Sequence, residues 1–141
     1  MQTLLLAAIG VAGFVASWPP GAVVPLRVAA IVPGVGGALL SAGGLRGLGP
    51  ALTPFPRPVP GAALVDRGVY GIVRHPIYGG VLLLALAWSL ATSPLALVPV
   101  LALAVVFEGK RRVEESWLVE AVPGYDAYRE RVPRRFVPLL W

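Results

Sequence analysis

Stretches without a charged side chain alternate along this chain with stretches crowded with them. No Asp, Glu, Lys or Arg precedes Arg27. The cluster Trp18-Pro19-Pro20-Gly21 interrupts that stretch with a turn signal and an interfacial tryptophan, which predicts a first apolar helix over about residues 2–17. Charge is absent again from Val28 to Leu45, 18 residues that would make about 27 Å of helix, against a bilayer core of about 30 Å. This predicts a second span over about 23–45. Within it Gly34, Gly37, Ala38 and Ser41 fall at the small-xxx-small spacing that lets another helix come close.

From Arg46 to Arg74 the pattern changes: prolines at 50, 54, 56, 58 and 60, together with four arginines, predict an extended surface connection. The next 33 residues, His75 to Phe107, again contain no Asp, Glu, Lys or Arg. One straight helix of that length would measure about 50 Å and overshoot the hydrocarbon. Thr92-Ser93-Pro94 lies near the midpoint, so the pattern predicts a helical hairpin with arms at 76–91 and 94–107; the alternative is one tilted helix kinked at Pro94 and Pro99. The helix then continues into "EGKRRVEESWLVEAV", where Glu108 with Arg112, Lys110 with Glu114 and Arg111 with Glu115 are spaced as exposed i,i+4 pairs. The final stretch predicts a short interfacial helix from about Gly124 to Val132 and a basic tail anchored by Phe136 and Trp141, with Trp117, Tyr125 and Tyr128 as further interface anchors. The expected fold is all-α: one membrane domain of about four transmembrane helices, the last two paired as a hairpin, plus the short C-terminal helix.

Composition sharpens this picture. Hydrophobic residues make up 57% and charged residues 13%, against roughly 25% charged in soluble domains, so the expected solvent is lipid. The first apolar segment has no basic residue before it and another apolar segment after it, which favours a first membrane helix over a cleaved signal. Twelve basic against seven acidic side chains give +5. In so apolar a chain that surplus suits anionic headgroups and not nucleic acid. The absence of cysteine excludes a disulfide, a thiolate metal site and a Cys nucleophile, and the single histidine excludes bis-His haem within one chain; no metal site is expected. Four arginines in 46–74 and seven basic residues beyond Phe107, against none in the turns at 18–21 and 92–94, put both basic regions on the cytoplasmic side of the cytoplasmic membrane. Arg27, near the outer end of the second span, is the one discordant charge.

A hairpin returns the chain to the side it left, so Arg74, His75 and Tyr78 should lie near Arg111, Glu114 and Glu115. Carboxylates can hold an ammonium or ribose hydroxyls, an arginine or histidine a carboxylate, and Tyr78 or Trp117 can cover a flat ring or face a cation. Gly79 and Gly80 remove side chains where a ligand would approach the helix. Taken one at a time these residues also have structural explanations. Arg74 can anchor at the interface, His75-Pro76 can start a helix, and Glu114-Glu115 can be a solvated face.

Taken together, "LVDRGVYGIVRHPIYGG", "KRRVEESWL" and "PGYDAYRERVPRRFVP" resemble the isoprenylcysteine carboxyl methyltransferase family and its phospholipid-methyltransferase relatives over about Thr53 to Pro138. The resemblance implies an integral-membrane enzyme using S-adenosylmethionine, with a lipid or other amphiphilic acceptor. It implies cofactor contacts from Arg74, His75, Tyr78, Gly79, Gly80, Glu114 and Glu115, with His75, Arg111 and Glu115 at the chemistry. Replacing Glu115 by Ala is then expected to abolish cofactor binding and leave the fold intact. Membrane sterol reductases share a similar "Y-x-x-Y…V-x-R" tail, which keeps an NADPH-dependent reductase as the alternative; a non-catalytic accessory protein is the third possibility.

Overall fold

The structure, a computed structural model, describes residues 1–49 and 64–138. The proline-rich stretch around Pro54 to Pro60, and Trp141, lie outside the described residues. Within them the chain is all-α: α1 (Gln2–Val15), α2 (Pro20–Leu48), α3 (Pro76–Thr92), α4 (Leu97–Ala121) and α5 (Tyr125–Arg131), with 3₁₀ turns at Gly68–Gly71 and Pro94–Ala96. Helices α1, α2 and α3 are apolar, and α4 begins at Leu97 and runs on past Phe107 through the charged stretch. The break between α3 and α4 is made by Ser93, whose extended backbone leaves the helix and whose hydroxyl accepts from the Leu95 amide ahead of Pro94. This satisfies one of the donors a new helical turn exposes.

The helices divide into two compact units. The first comprises Met1–Leu39 with Gly80–Phe107, the second Leu40–Gly79 with Glu108–Trp141.

In the first unit, α1 packs on the Pro94–Ala96 turn. Gly13 is required there because a Cβ would stand 2.5 Å from the Trp88 indole nitrogen, and that nitrogen donates to the Ile9 carbonyl at 3.2 Å. The small-residue stripe of α2 faces α3: a Cβ on Gly37 would stand 2.7 Å from the Gly80 carbonyl, and one on Gly34 would stand 3.6 Å from Ala87 Cβ. Ala38, assigned to the same stripe, is exposed. Arg27 has a structural explanation, since its Nε donates to the Ala91 carbonyl at 3.3 Å, near the C-terminus of α3. The negative end of that helix dipole suits a cation.

Among the described residues α2 alone is long and apolar enough to cross a membrane, and α1 and α3 are apolar but shorter. Only 17% of the most apolar window of α2 is buried. Val24, Val28, Ile31, Val32, Val35 and Leu39 stand exposed along it. An outward apolar face of this extent is what lipid contact calls for.

In the second unit, the turn at Gly68–Gly71 inserts Tyr70 against α2. Its ring lies 3.0 Å from where a Gly47 Cβ would be, and its hydroxyl donates to the Gly44 carbonyl at 3.3 Å. Gly124, at φ +84°, turns the chain from α4 into α5 through the left-handed region that glycine occupies without strain. Tyr125 and Tyr128 were expected at the membrane interface. They are instead buried with Val122 and Val132, against Leu118 and Leu64, and Tyr128 donates to the Tyr70 carbonyl at 2.7 Å. A seven-residue helix has too little surface to be stable alone, so it is held by this aromatic face. Burial pushes the phenols of Tyr70 and Tyr125 up, and that of Tyr128 up to about 12, so all three stay neutral donors.

Candidate functional site

Three pieces of the second unit converge on one charged cluster: the start of α3, the charged stretch of α4 and the segment after α5. Glu115 is its hub. Its Oε1 accepts from Arg74 Nε at 2.8 Å and from His75 Nε2 at 3.0 Å, and its Oε2 accepts from Arg111 Nη1 at 2.7 Å. Both oxygens are thus engaged by the protein in a position where the side chain is 5% exposed. Burial pushes this carboxyl up, but hydrogen bonds from His75 and Arg74 and the Arg74 charge outweigh it and hold it at about 2. A carboxylate that remains ionised can only accept, so His75 Nε2 carries a proton.

Arg111 is tied on its other side to Glu108, through Nε at 2.9 Å and Nη2 at 2.6 Å. Arg112 and Arg135 also reach Glu108 Oε1, at 2.9 and 3.4 Å. Hydrogen bonds from Arg111 lower Glu108 most; burial opposes them and the Arg112 bond adds to them, leaving it at about 2. Two of the expected i,i+4 pairs are therefore present, Glu108–Arg112 and Arg111–Glu115. The second is buried and not an exposed surface pair. Lys110 Nζ stands 5.1 Å from the centroid of the Tyr78 ring.

Glu114 is placed differently from its neighbour. Its Oε1 accepts from the Tyr78 hydroxyl, while Oε2 lies 3.7 Å from His75 Nδ1 and accepts no hydrogen bond from the described residues. The His75 and Tyr78 rings lie parallel within 4°, centroids 5.6 Å apart. Phe136 stands edge-on to both, at 6.1 and 6.3 Å.

Of the sequence-predicted site residues, Arg74, His75, Tyr78, Arg111, Glu114 and Glu115 are brought together. Gly79 lies beside them, but its open side is filled by the chain itself: a Cβ there would stand 1.8 Å from the Phe136 carbonyl oxygen. Gly80 belongs to the other unit, where its carbonyl faces Gly37. Trp117 is half-buried. Three participants were not anticipated. Glu108 could have been found from its i,i+3 spacing to Arg111. Arg135 and Phe136 left no signal, because they reach the cluster only when the tail folds back. Phe136 was expected as a surface anchor and is fully buried.

Acid should loosen this network. Glu108 and Glu115 sit at about 2 in the fold against an ordinary 4.5. The stability they contribute is thus complete above about pH 4.5 and is lost as pH falls from there through about 2. Thermal melting in detergent between pH 7 and pH 2 should show the melting point dropping over that window, with a shallower slope in Glu115→Gln. A melting point indifferent to pH down to 2 would contradict the assigned ion pairs.

The profile of the phospholipid methyltransferase family matches residues 27–122. The chain is similar to a Delta(14)-sterol reductase of Mus musculus, 34% identical over 85 residues that cover 57% of this chain and 20% of that protein. It is also similar to a cobalt-zinc-cadmium resistance protein of Cupriavidus metallidurans, 37% identical over 75 residues, 52% of this chain and 35% of that protein. The matched stretch thus spans about a fifth of one relative and about a third of the other.

Proposed function

The chain belongs to the phospholipid methyltransferase family, and from that premise we propose that it is an S-adenosylmethionine-dependent membrane methyltransferase acting on an oxygen or nitrogen of an amphiphilic acceptor. In this proposal the apolar stretches 2–17, 23–45, 76–91 and 94–107 are four spans, and the Glu115 cluster faces the cytoplasm. The observation that carries the proposal is the pairing of a partly exposed carboxylate, Glu114, with an aromatic ring, Tyr78, whose face already attracts a cation, the Lys110 ammonium.

The donor set fits a zwitterionic, sulfonium-bearing cofactor. Glu114 Oε2 would hold the ammonium or ribose hydroxyls. The face of Tyr78 would lie against positive charge, which an aromatic quadrupole favours. When bound, S-adenosylmethionine supplies a methyl group already activated for displacement, so the protein's own work is alignment, charge matching and exclusion of water. Arg74, Arg111 and Glu115 would act one layer back. Glu115 fixes His75 through Nε2, leaving Nδ1 towards Glu114, and the two arginines keep Glu115 ionised. For a carboxylate acceptor no base is needed. For an amine, His75 Nδ1 or Glu114 would take the proton. Gly79 serves the site by letting the Phe136 backbone close against α3, and Gly80 by letting α2 approach.

A radiolabel test follows. Membranes containing the protein, incubated with methyl-tritiated S-adenosylmethionine and extracted with organic solvent, should carry label in the lipid phase. Glu114→Gln keeps an acceptor for the Tyr78 hydroxyl and removes the charge, so it should raise the cofactor KM at least about tenfold with the melting point unchanged. Label absent from the lipid phase, or a KM unaffected in Glu114→Gln, would count against this assignment. The similarity to a sterol reductase favours one other reading, an NADPH-dependent reduction, in which the same membranes would oxidise NADPH and transfer no methyl group.

A further inference from the structure

The segment after α5 does more than end the chain. Residues 132–136 lie along the start of α3 and supply backbone acceptors to it: the Arg74 amide donates to the Arg134 carbonyl at 3.0 Å, and the His75 amide to the Arg135 carbonyl at 2.8 Å. Arg74 Nη1 reaches the Val132 carbonyl at 2.6 Å. These amides precede a helix that begins at Pro76, where backbone donors lack partners within the helix. Gly79 allows the approach, since any Cβ would collide with the Phe136 backbone.

The strap delivers one ring to two others. The Tyr78 hydroxyl is tethered to Glu114, and His75 Nε2 to Glu115. The fully buried Phe136 meets both rings edge-on, at interplanar angles of 65° and 61°, the arrangement in which the positive edge of one aromatic meets the negative face of another. It adds an apolar support to the polar tether of each ring.

Resting on the methyl-donor assignment above, we propose that residues 132–136 form a wall of the cofactor site and that Phe136 is a positioning residue, setting the planes of His75 and Tyr78 for the ligand. The strap also brings Arg135 to Glu108, so a single short segment braces the aromatic and the charged halves of the cluster.

The test uses the full chain in detergent, S-adenosylhomocysteine as the calorimetric probe, and the imidazole Hε1 resonance as a local reporter. His75 is the only histidine, so that signal is unambiguous. Phe136→Leu and Phe136→Met keep apolar volume and remove the ring, changes that buried sites usually tolerate. Both variants should retain their helical circular dichroism, move the Hε1 signal, and bind the probe at least about tenfold more weakly, because the site is no longer preorganised. If the leucine variant does not fold, the methionine variant decides. Wild-type binding that both variants match, with Hε1 unmoved, would overturn the positioning role and leave the methyl-donor assignment standing. No binding by the wild type would overturn that assignment and this role with it.

Discussion

Replacing Glu115 with alanine should destabilise the protein by about 3–5 kcal/mol, the usual consequence of removing one partner from a buried ion pair. The effect comes from what is left behind. Arg74 and Arg111 are each no more than about a tenth exposed and donate to Glu115 at 2.8 and 2.7 Å. Each keeps a second partner, the Val132 carbonyl for Arg74 and Glu108 for Arg111. Arg74 loses the charge that balances it, and Arg111 is left with Glu108 alone. Against a typical total of about 5–15 kcal/mol, such a loss is a large fraction of the stability. The resemblance alone implied that this variant would lose cofactor and keep its fold; the geometry instead predicts a lower melting point before any ligand is added. Glu115→Gln, which keeps the shape and one acceptor, should fall between. Thermal melting of the ligand-free protein in detergent decides: an alanine variant that melts like the wild type would mean that Glu115 serves a ligand and not the fold.

Gly79→Ala is the second large effect, and its sign is opposite to the ordinary one. In an open helical position Gly→Ala stabilises by up to about 1 kcal/mol. At Gly79 the added Cβ would stand 1.8 Å from the Phe136 carbonyl oxygen and 2.6 Å from its carbon. Backbone atoms cannot rotate out of the way as a side-chain end can. The strap must lift off α3, breaking the amide bonds to Arg134 and Arg135, or α3 must shift, and overpacking of this kind costs about 1–3 kcal/mol. Gly109 is the control, being helical with nothing within 4 Å of its Cβ position. Gly109→Ala should raise the melting point, and Gly79→Ala should lower it and release the strap to limited proteolysis. Equal behaviour of the two variants would contradict the packing of the strap on α3.

How much of this was legible depended on how local the determinant was. Apolar runs, and the turn residues around Trp18 and Ser93, are signals read within a few positions, and α1 to α4 follow them. The pairing of Arg74 and His75 with Glu114 and Glu115 was legible because the apolar stretch His75–Phe107 is longer than one span and carries a turn signal at Thr92-Ser93-Pro94. What failed was exposure. Arg111–Glu115 has the spacing of a surface pair, and only the arrival of Arg74 and His75 from α3 buries it. Tyr128 and Phe136 have the composition of interface anchors, yet their partners are Tyr70, Gly79 and the His75–Tyr78 rings. Those contacts span more than fifty residues, and no periodicity encodes them.

The central claim is that the Glu114–Tyr78–His75 cluster holds a methyl donor. The most direct measurement is a calorimetric titration of the purified protein in detergent with S-adenosylhomocysteine, with NADPH titrated in parallel. Saturable binding of S-adenosylhomocysteine alone, weakened in Glu114→Gln, is the predicted result. Binding of NADPH alone would contradict the claim and move the chain towards reductase chemistry, and a folded protein that binds neither would contradict it as well.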